Sequence, residues 1–333
     1  MPHTMDRTTT TTGARFSLVP PLRVLPQAAV LVALAAAALW AISAVFDARV
    51  VSAAYLTMML LLSPARSGSR GVRVLAAAWA VLIAVVGHLI GSLGLWVTLV
   101  ALVVVCLAQA LYRIGDVAVV TRSPVNLVVF AGLAGTGTTL VDVAVGASIG
   151  AALMLLAALL VPTRPASAQP VPATERLVDG VVLAVGAVTT VLVSTWLDFA
   201  YVNWALLSFC MIVAVGGPHR GGRARDRVIG TLIGTVAGTL ASLLPSPLPL
   251  IIAVVAVLLC VTYQLVGDYT MFVVFLTPAV LLLSSSDQSA LALGLGRIEA
   301  VLGSAIVAVL CTWLAHRLSK VVGGASARDT ENP

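Results

Sequence analysis

The sequence predicts an all-α integral membrane protein of about twelve transmembrane helices, set out as two parallel six-helix repeats. Three observations predict it. Hydrophobic residues make up 60% of the 333 residues and charged residues only 10%, with a mean hydropathy of +1.09. A soluble domain carries about 25% charge, so this chain has too few charged side chains to cover a water-facing surface. The apolar residues gather into twelve runs, most of them near the ~20 residues that cross a hydrocarbon core. The Lys and Arg residues collect between alternate runs, which is how cytoplasmic loops are marked.

The chain opens with a Thr tract, Thr8 to Thr12, and with Arg7, Arg15 and Arg23. No small-residue cleavage pattern follows the first apolar run, so residues 1–25 are expected to be a disordered cytoplasmic tail and not a signal peptide. The first repeat spans 26–161, with runs at 26–46, 50–63, 73–91, 94–112, 124–137 and 139–161. Those at 50–63 and 124–137 are short, as tilted, broken or re-entrant helices are. Residues 162–176 form a linker containing Pro162, Pro165, Pro170 and Pro172, which fix φ and remove donors and so favour a solvated, extended stretch. The second repeat spans 177–317, with runs at 177–196, 201–216, 228–244, 248–265, 269–284 and 291–316. Residues 318–333 are expected to be a cytoplasmic tail. Twelve helices use about 240 positions, which leaves short loops and no room for a soluble enzyme domain.

With both termini inside, every one of the 19 Lys and Arg residues except Arg49 and Arg297 falls on a cytoplasmic segment. Trp40, Trp96, Trp196 and Trp204 fall near outer ends, as an interfacial belt requires. The net charge of +6 is therefore topogenic and points to no nucleic-acid partner. Cys106, Cys210, Cys260 and Cys311 lie inside apolar runs at no metal or haem spacing. No nucleophile motif, metal site or cofactor fingerprint is present, so neither an enzyme nor a cofactor is expected.

The repeat shows in matched residues. Arg73 begins the third run as Arg227 begins the ninth, which aligns Ala76, Ala80 and Ala84 with Gly230, Gly234 and Gly238. The fifth and eleventh runs share VVF, at Val128–Phe130 and Val273–Phe275; the sixth and twelfth share an acid four residues before glycine, Asp142–Gly146 and Glu299–Gly303. An offset of six helices makes the repeats parallel, with a substrate path expected where the halves meet.

Several residues are candidates for chemistry. Arg297 and Glu299 sit inside the twelfth run, where charge is costly and tends to face a cavity or a partner. Residues two apart point nearly opposite ways on a helix, so they cannot share a face. Arg297 is the candidate anion site, with Tyr201, Asn203 and Trp204 of the YVNW stretch as further substrate-binding candidates; Glu299 and Asp142 are candidate proton carriers. The alternative is an interfacial ion pair that fixes helix packing. The glycine ladder of the ninth run suits close helix approach. The loop GGPHRGGRARDR, with Arg220, Arg223, Arg225 and Arg227, suits headgroup contact or capture of an anion. His88 reads as a packed or interfacial histidine or a pH switch; Gln109, Asn126 and Gln264 as interhelical glue; Pro278 as a kink that frees carbonyls.

YVNWALLSFCMIV from Tyr201, the basic loop, RVIGTLIGTVAG from Arg227 and RIEAVLGSAI from Arg297 together resemble the fusaric acid resistance (FUSC) family, also grouped as aromatic acid exporters. The resemblance covers residues 170–317 well and the first half more weakly. It implies efflux of aromatic or amphipathic weak acids driven by the proton gradient. It also implies kinship with plant malate channels, whose six-helix subunits dimerise around a pore. Carried over, Arg227, Gly230, Thr231 and Gly234 match the family's cytoplasmic motif, with Arg73 their first-half counterpart, and Arg297 matches its late arginine. The chain departs from larger members by lacking a sizeable cytoplasmic domain between the halves.

The expected function is thus a transporter of aromatic or amphipathic weak acids in a bacterial inner (plasma) membrane. A passive anion channel and a non-transporting scaffold for envelope assembly are the alternatives. The expected partners are the bilayer and a small aromatic or anionic substrate, the chain acting as a monomer with an intramolecular pseudo-dimer or as a homo-oligomer. On this reading Arg297→Ala and Glu299→Gln lose transport at normal expression; transport left intact in both variants would overturn it.

Overall fold

The computed structural model describes residues 22–61, 69–111, 122–159, 173–214, 219–284 and 289–329. The N-terminal tail and most of the proline-rich linker lie outside the described residues. Twelve α-helices are present among the described residues and no strand: α1 (Leu25–Ser43), α2 (Ala48–Leu61), α3 (Arg70–Gly91), α4 (Leu95–Leu111), α5 (Ser123–Leu133), α6 (Leu140–Ala157), α7 (Ala173–Trp196), α8 (Val202–Val213), α9 (Arg220–Ser242), α10 (Leu248–Val266), α11 (Tyr269–Ser284) and α12 (Ala290–Asp329). A 3-10 turn, Ala134–Thr136, extends α5. The apolar runs therefore locate every helix to within a few residues, save at the ends of α9 and α12. The last helix continues to Asp329, where a tail was expected from residue 318.

Among the described residues six helices are long and apolar enough to cross a membrane: α1, α3, α6, α7, α10 and α12. Five are shorter, and α8 with 12 residues reaches only about 18 Å at 1.5 Å per residue, against a core of about 30 Å. The short helices α5 and α8 are buried along most of their length. The outer surface is apolar instead, with Trp40, Trp96 and Trp196 among its exposed side chains and many Leu and Val residues beside them. Such a surface suits lipid and not water.

Packing follows one plan in both parts of the chain. Helix α2 lies on α6 as α8 lies on α12; α3 lies on α5 and α6 as α9 lies on α11 and α12; α4 meets α5 as α10 meets α11. The main contacts between the parts are α1 on α10, α4 on α7 and α5 on α8.

Small residues set these approaches. Gly146 and Gly150 of α6 bring its backbone against Val50, Ala53 and Ala54 of α2. On α12 the same task falls to Ala300 and Ser304, both buried, and the Ser304 hydroxyl donates to Ala205 O of α8. Gly303 has nothing near its missing Cβ. The expected pairing of Asp142–Gly146 with Glu299–Gly303 is thus not a structural one. A short match within apolar helix leaves the register open, and packing fixes a different one. In α3 the aligned Ala80 and Ala84 are fully buried, while glycine contact with α5 comes further along, at Gly87 and Gly91.

The ladder on α9 meets α11 around its proline. Pro278 has no N–H to give to the carbonyl four residues back, that of Val274. Gly234 closes on that carbonyl: a Cβ there would stand 2.6 Å from Val274 O and 2.7 Å from the Thr277 Cβ. The approach suits a Cα–H···O contact and explains why glycine is needed at this position.

One end of the bundle gathers arginines for a local reason. The last carbonyls of a helix lack partners and carry the negative end of its dipole. Arg73 Nη1 donates to Ala158 O after α6 (3.1 Å), Arg122 Nη1 to Met59 O in the last turn of α2 (2.6 Å), and Arg176 Nη1 to Leu111 O at the end of α4 (3.2 Å). Arg220, at the start of α9, pairs with Asp179 in the first turns of α7 at 2.6 Å.

Gly234→Ala should destabilise the protein by about 1–3 kcal/mol, the cost of overpacking a close contact. Gly221→Ala, with nothing within 4 Å of its Cβ, should be neutral or better. Thermal unfolding of both variants in one detergent checks the contrast.

Candidate functional site

Arg227 and Arg297 are the most deeply buried charged groups among the described residues, 2% and 4% exposed. Burying a guanidinium costs several kcal/mol unless an opposite charge and hydrogen bonds offset it. Among the described residues the ion pairs are Arg220–Asp179 and Arg225–Asp226, and neither involves these two. Their partners are neutral. Arg227 Nη1 donates to the Tyr269 hydroxyl (2.8 Å) and Arg297 Nε to Thr277 Oγ1 (3.4 Å). Both acceptors lie on α11, about two turns apart, so this helix holds the two arginines in line along its length.

Aromatic rings extend the line at both ends. The Arg297 guanidinium stands over the Trp204 ring at 5.3 Å, and Trp204 stacks on Tyr201 with centroids 4.6 Å apart and planes 9° from parallel. Phe199 meets Tyr201 edge-on. Gly296, next to Arg297, is what admits the Tyr201 ring against α12. At the other end Arg223 covers the Tyr269 ring at 3.2 Å. Cation–π contacts stabilise a desolvated guanidinium by about 2 kcal/mol without neutralising it, so the positive charge remains available to an anion.

A third arginine joins from the other part of the chain. Arg122 precedes α5 and lies within electrostatic range of Arg227, as does Arg297. Cys260 of α10 and Tyr269 lie within range of both Arg122 and Arg297. The Nε atoms of Arg122, Arg223 and Arg227 are buried and donate to no protein group. Arg122 and Arg297 thus each lie within electrostatic range of Arg227, and none of the three is in an ion pair among the described residues. Sequence reasoning assigned Arg122 to a cytoplasmic loop; in the structure it stands before a short helix and reaches the end of α2, beside Asn126, which donates to Leu56 O of the same helix.

The other sequence candidates fall elsewhere. Asn203 is exposed. Glu299 is exposed on α12, on the side away from Arg297. Asp142 completes a capping box with Thr139 at the start of α6, accepting from its backbone N–H at 2.9 Å, and lies within electrostatic range of Arg49 and His88. Of the cytoplasmic motif, Gly230 and Gly234 pack on α11 and Arg73 caps α6. Thr231 is buried with its hydroxyl lacking a protein partner. No group of three or more His, Cys, Asp or Glu residues that would hold a metal comes together among the described residues.

An all-helical bundle with apolar spans, an apolar surface and buried charge is a multi-pass membrane protein. Residues 186–311 match the family described as fusaric acid resistance protein-like, which bears out the resemblance carried by Tyr201–Val213, Arg227 and Arg297. The match runs from α7 into α12 and includes Arg227 and Arg297. No curated protein and no solved structure matches the chain.

Tyr269→Phe keeps the ring under Arg223 and removes the acceptor of Arg227. It should lower stability by about 1.5–3 kcal/mol, as expected for a lost hydrogen bond to a charged group, and Tyr269→Leu should lower it further. Detergent-solubilised unfolding midpoints of the two variants check both the direction and the order.

Proposed function

We propose that the chain is a secondary transporter that exports aromatic or amphipathic weak acids across a bacterial inner membrane, with the carboxylate taken by Arg297 and Arg227 and the ring by Trp204 and Tyr201. The observation that carries this reading is the pair of buried arginines that have neutral partners on α11 and an aromatic stack beside them. A buried cation without a counter-charge favours a bound anion, and a stack ending on a guanidinium suits an anion attached to a flat apolar body. The likeness to fusaric acid resistance proteins supports the same class.

On this reading all twelve helices contribute to spanning the membrane, the short ones paired with long neighbours, and both termini are cytoplasmic. The parallel packing of α1–α6 and α7–α12 supports two six-helix repeats, and the crossed contacts α1–α10 and α4–α7 bind them into one pseudo-dimer. Arg122 comes from the first repeat and Arg227 and Arg297 from the second, which sets the anion site at their seam. The chain performs no covalent chemistry and needs no cofactor. Of the two acids, Asp142 is better placed for a coupling proton, near Arg49 and His88 at the start of α6; Glu299 shares no side with the arginines.

Uptake of labelled benzoate, 4-hydroxybenzoate and neutral benzyl alcohol into proteoliposomes, with and without an imposed pH gradient, tests this. Gradient-driven movement of the acids should fall about 10- to 100-fold in Arg297→Ala, the equivalent of a charge-assisted hydrogen bond, and the alcohol should be indifferent to the variant. Movement that ignores the gradient would make the protein a passive anion channel. No movement of any acid by folded protein would overturn transport in favour of a scaffold.

A further inference from the structure

Threonines inside helices usually turn their hydroxyls back onto the carbonyl four residues earlier. Six buried or half-buried threonines here do so: Thr57, Thr98, Thr190, Thr262, Thr277 and Thr312. Three on α9 do not. The hydroxyls of Thr231, Thr235 and Thr239 are buried and have no partner in the protein, although Thr231 and Thr235 are only 2% and 5% exposed. An unpaired buried hydroxyl is costly and calls for a cause. These three also follow Arg227 at a spacing of four, so they continue its line along one side of α9, about 6 Å apart. Arg227 itself keeps a buried, unpartnered Nε.

The glycine ladder occupies a neighbouring stripe of the same helix and meets α11. The threonine stripe faces α12: a Cβ on Gly294 would stand 2.6 Å from the Thr235 methyl and 3.6 Å from the Thr239 hydroxyl. Gly294 lies three residues before Arg297, on the same side of α12. The stripe therefore starts at one buried arginine and passes the second.

We propose that Thr231, Thr235 and Thr239 form a hydroxyl track along α9, the wall of the route by which water and an organic carboxylate pass between the buried arginines and the far end of α9. The track rests on the anion-site reading and adds a path to it. Hydroxyls left off their own helix carbonyls can donate to a carboxylate oxygen in turn, each step within reach of the next. Glycine at 294 lets α12 close on Thr235, so the route is shut at that level in this structure. Opening requires α9 and α12 to part there.

Two measurements test the track in full-length protein. The first is the reaction of Thr235→Cys with a membrane-impermeant, negatively charged methanethiosulfonate in proteoliposomes, compared with Val236→Cys on the exposed side of α9 and with the unsubstituted chain. Thr235→Cys should react at least about tenfold faster than either, and benzoate should slow it. The second is benzoate transport by Thr235→Val, which keeps the shape and loses the hydroxyl, against Thr262→Val, whose hydroxyl serves its own helix. The maximal rate should fall about 3- to 10-fold in Thr235→Val, the range of an interhelical hydrogen bond in a membrane, with KM unchanged and Thr262→Val like wild type. An unreactive Thr235→Cys would overturn the track, and so would wild-type rates in Thr235→Val. If no acid moves but Thr235→Cys still reacts and benzoate protects it, the track stands and transport falls.

Discussion

Guanidinium groups held inside an apolar bundle, with hydroxyls and rings for company in place of carboxylates, are the constraint around which this chain is arranged. A charge in such surroundings destabilises the fold unless its donors are used. Arg227 and Arg297 use theirs on one helix, at Tyr269 and Thr277. That requires α11 to run close to both α9 and α12. It also requires the acceptors to sit two turns apart, which is the spacing of the arginines along the bundle. A soluble protein would meet the same charge with Asp or Glu. Here the interior leaves the charge positive, as the proposed anion site requires.

The close approach of α9 to α11 follows from sequence chemistry of the plainest kind. Pro278 removes one N–H, the carbonyl of Val274 loses its helical partner, and Gly234 is the residue small enough to cover it. The kink and the ladder are two halves of one contact. It also brings Thr277 to the level where Arg297 can reach it. The shortness of α5 and α8 has a similar logic. A helix of 11 or 12 residues cannot span alone, and each of these packs on a longer neighbour, α5 on α3 and α8 on α12. Arg122 at the start of α5 meets the end of α2, and Trp204 at the start of α8 meets Arg297.

The helices were legible in the sequence because apolar runs and arginine-marked loops are strong, independent signals. Arg297, Trp204 and Tyr201 were legible for the same reason: a charge or a ring in an apolar run stands out. What stayed hidden depended on register and rotamer. Asp142 and Glu299 look equivalent in sequence, yet one caps a helix and the other lies exposed, since a step of one residue turns a helical side chain by about 100°. Arg122 looked like any loop arginine; only folding shows that the loop ends inside. The hydroxyls of α9 were beyond sequence altogether, because whether a threonine bonds its own helix or leaves its hydroxyl free is decided by the helix packed against it.

The two parts of the chain are closely interdependent. Helix α1 rests on α10 and α4 on α7, so each part covers apolar surface of the other, and the core around Leu102, Leu206 and Phe209 draws on both. The seam is also where Arg122 comes into range of Arg227. Like charges brought together across a seam push it apart, while the apolar core beside it holds it shut. Such a balance is sensitive to one added negative charge: an anion between the arginines removes the repulsion and leaves the apolar contacts unopposed. On the proposed reading, the chemistry by which the site attracts an anion also lets that anion act on the contact between the halves. This is the coupling between binding and conformation that a transporter requires.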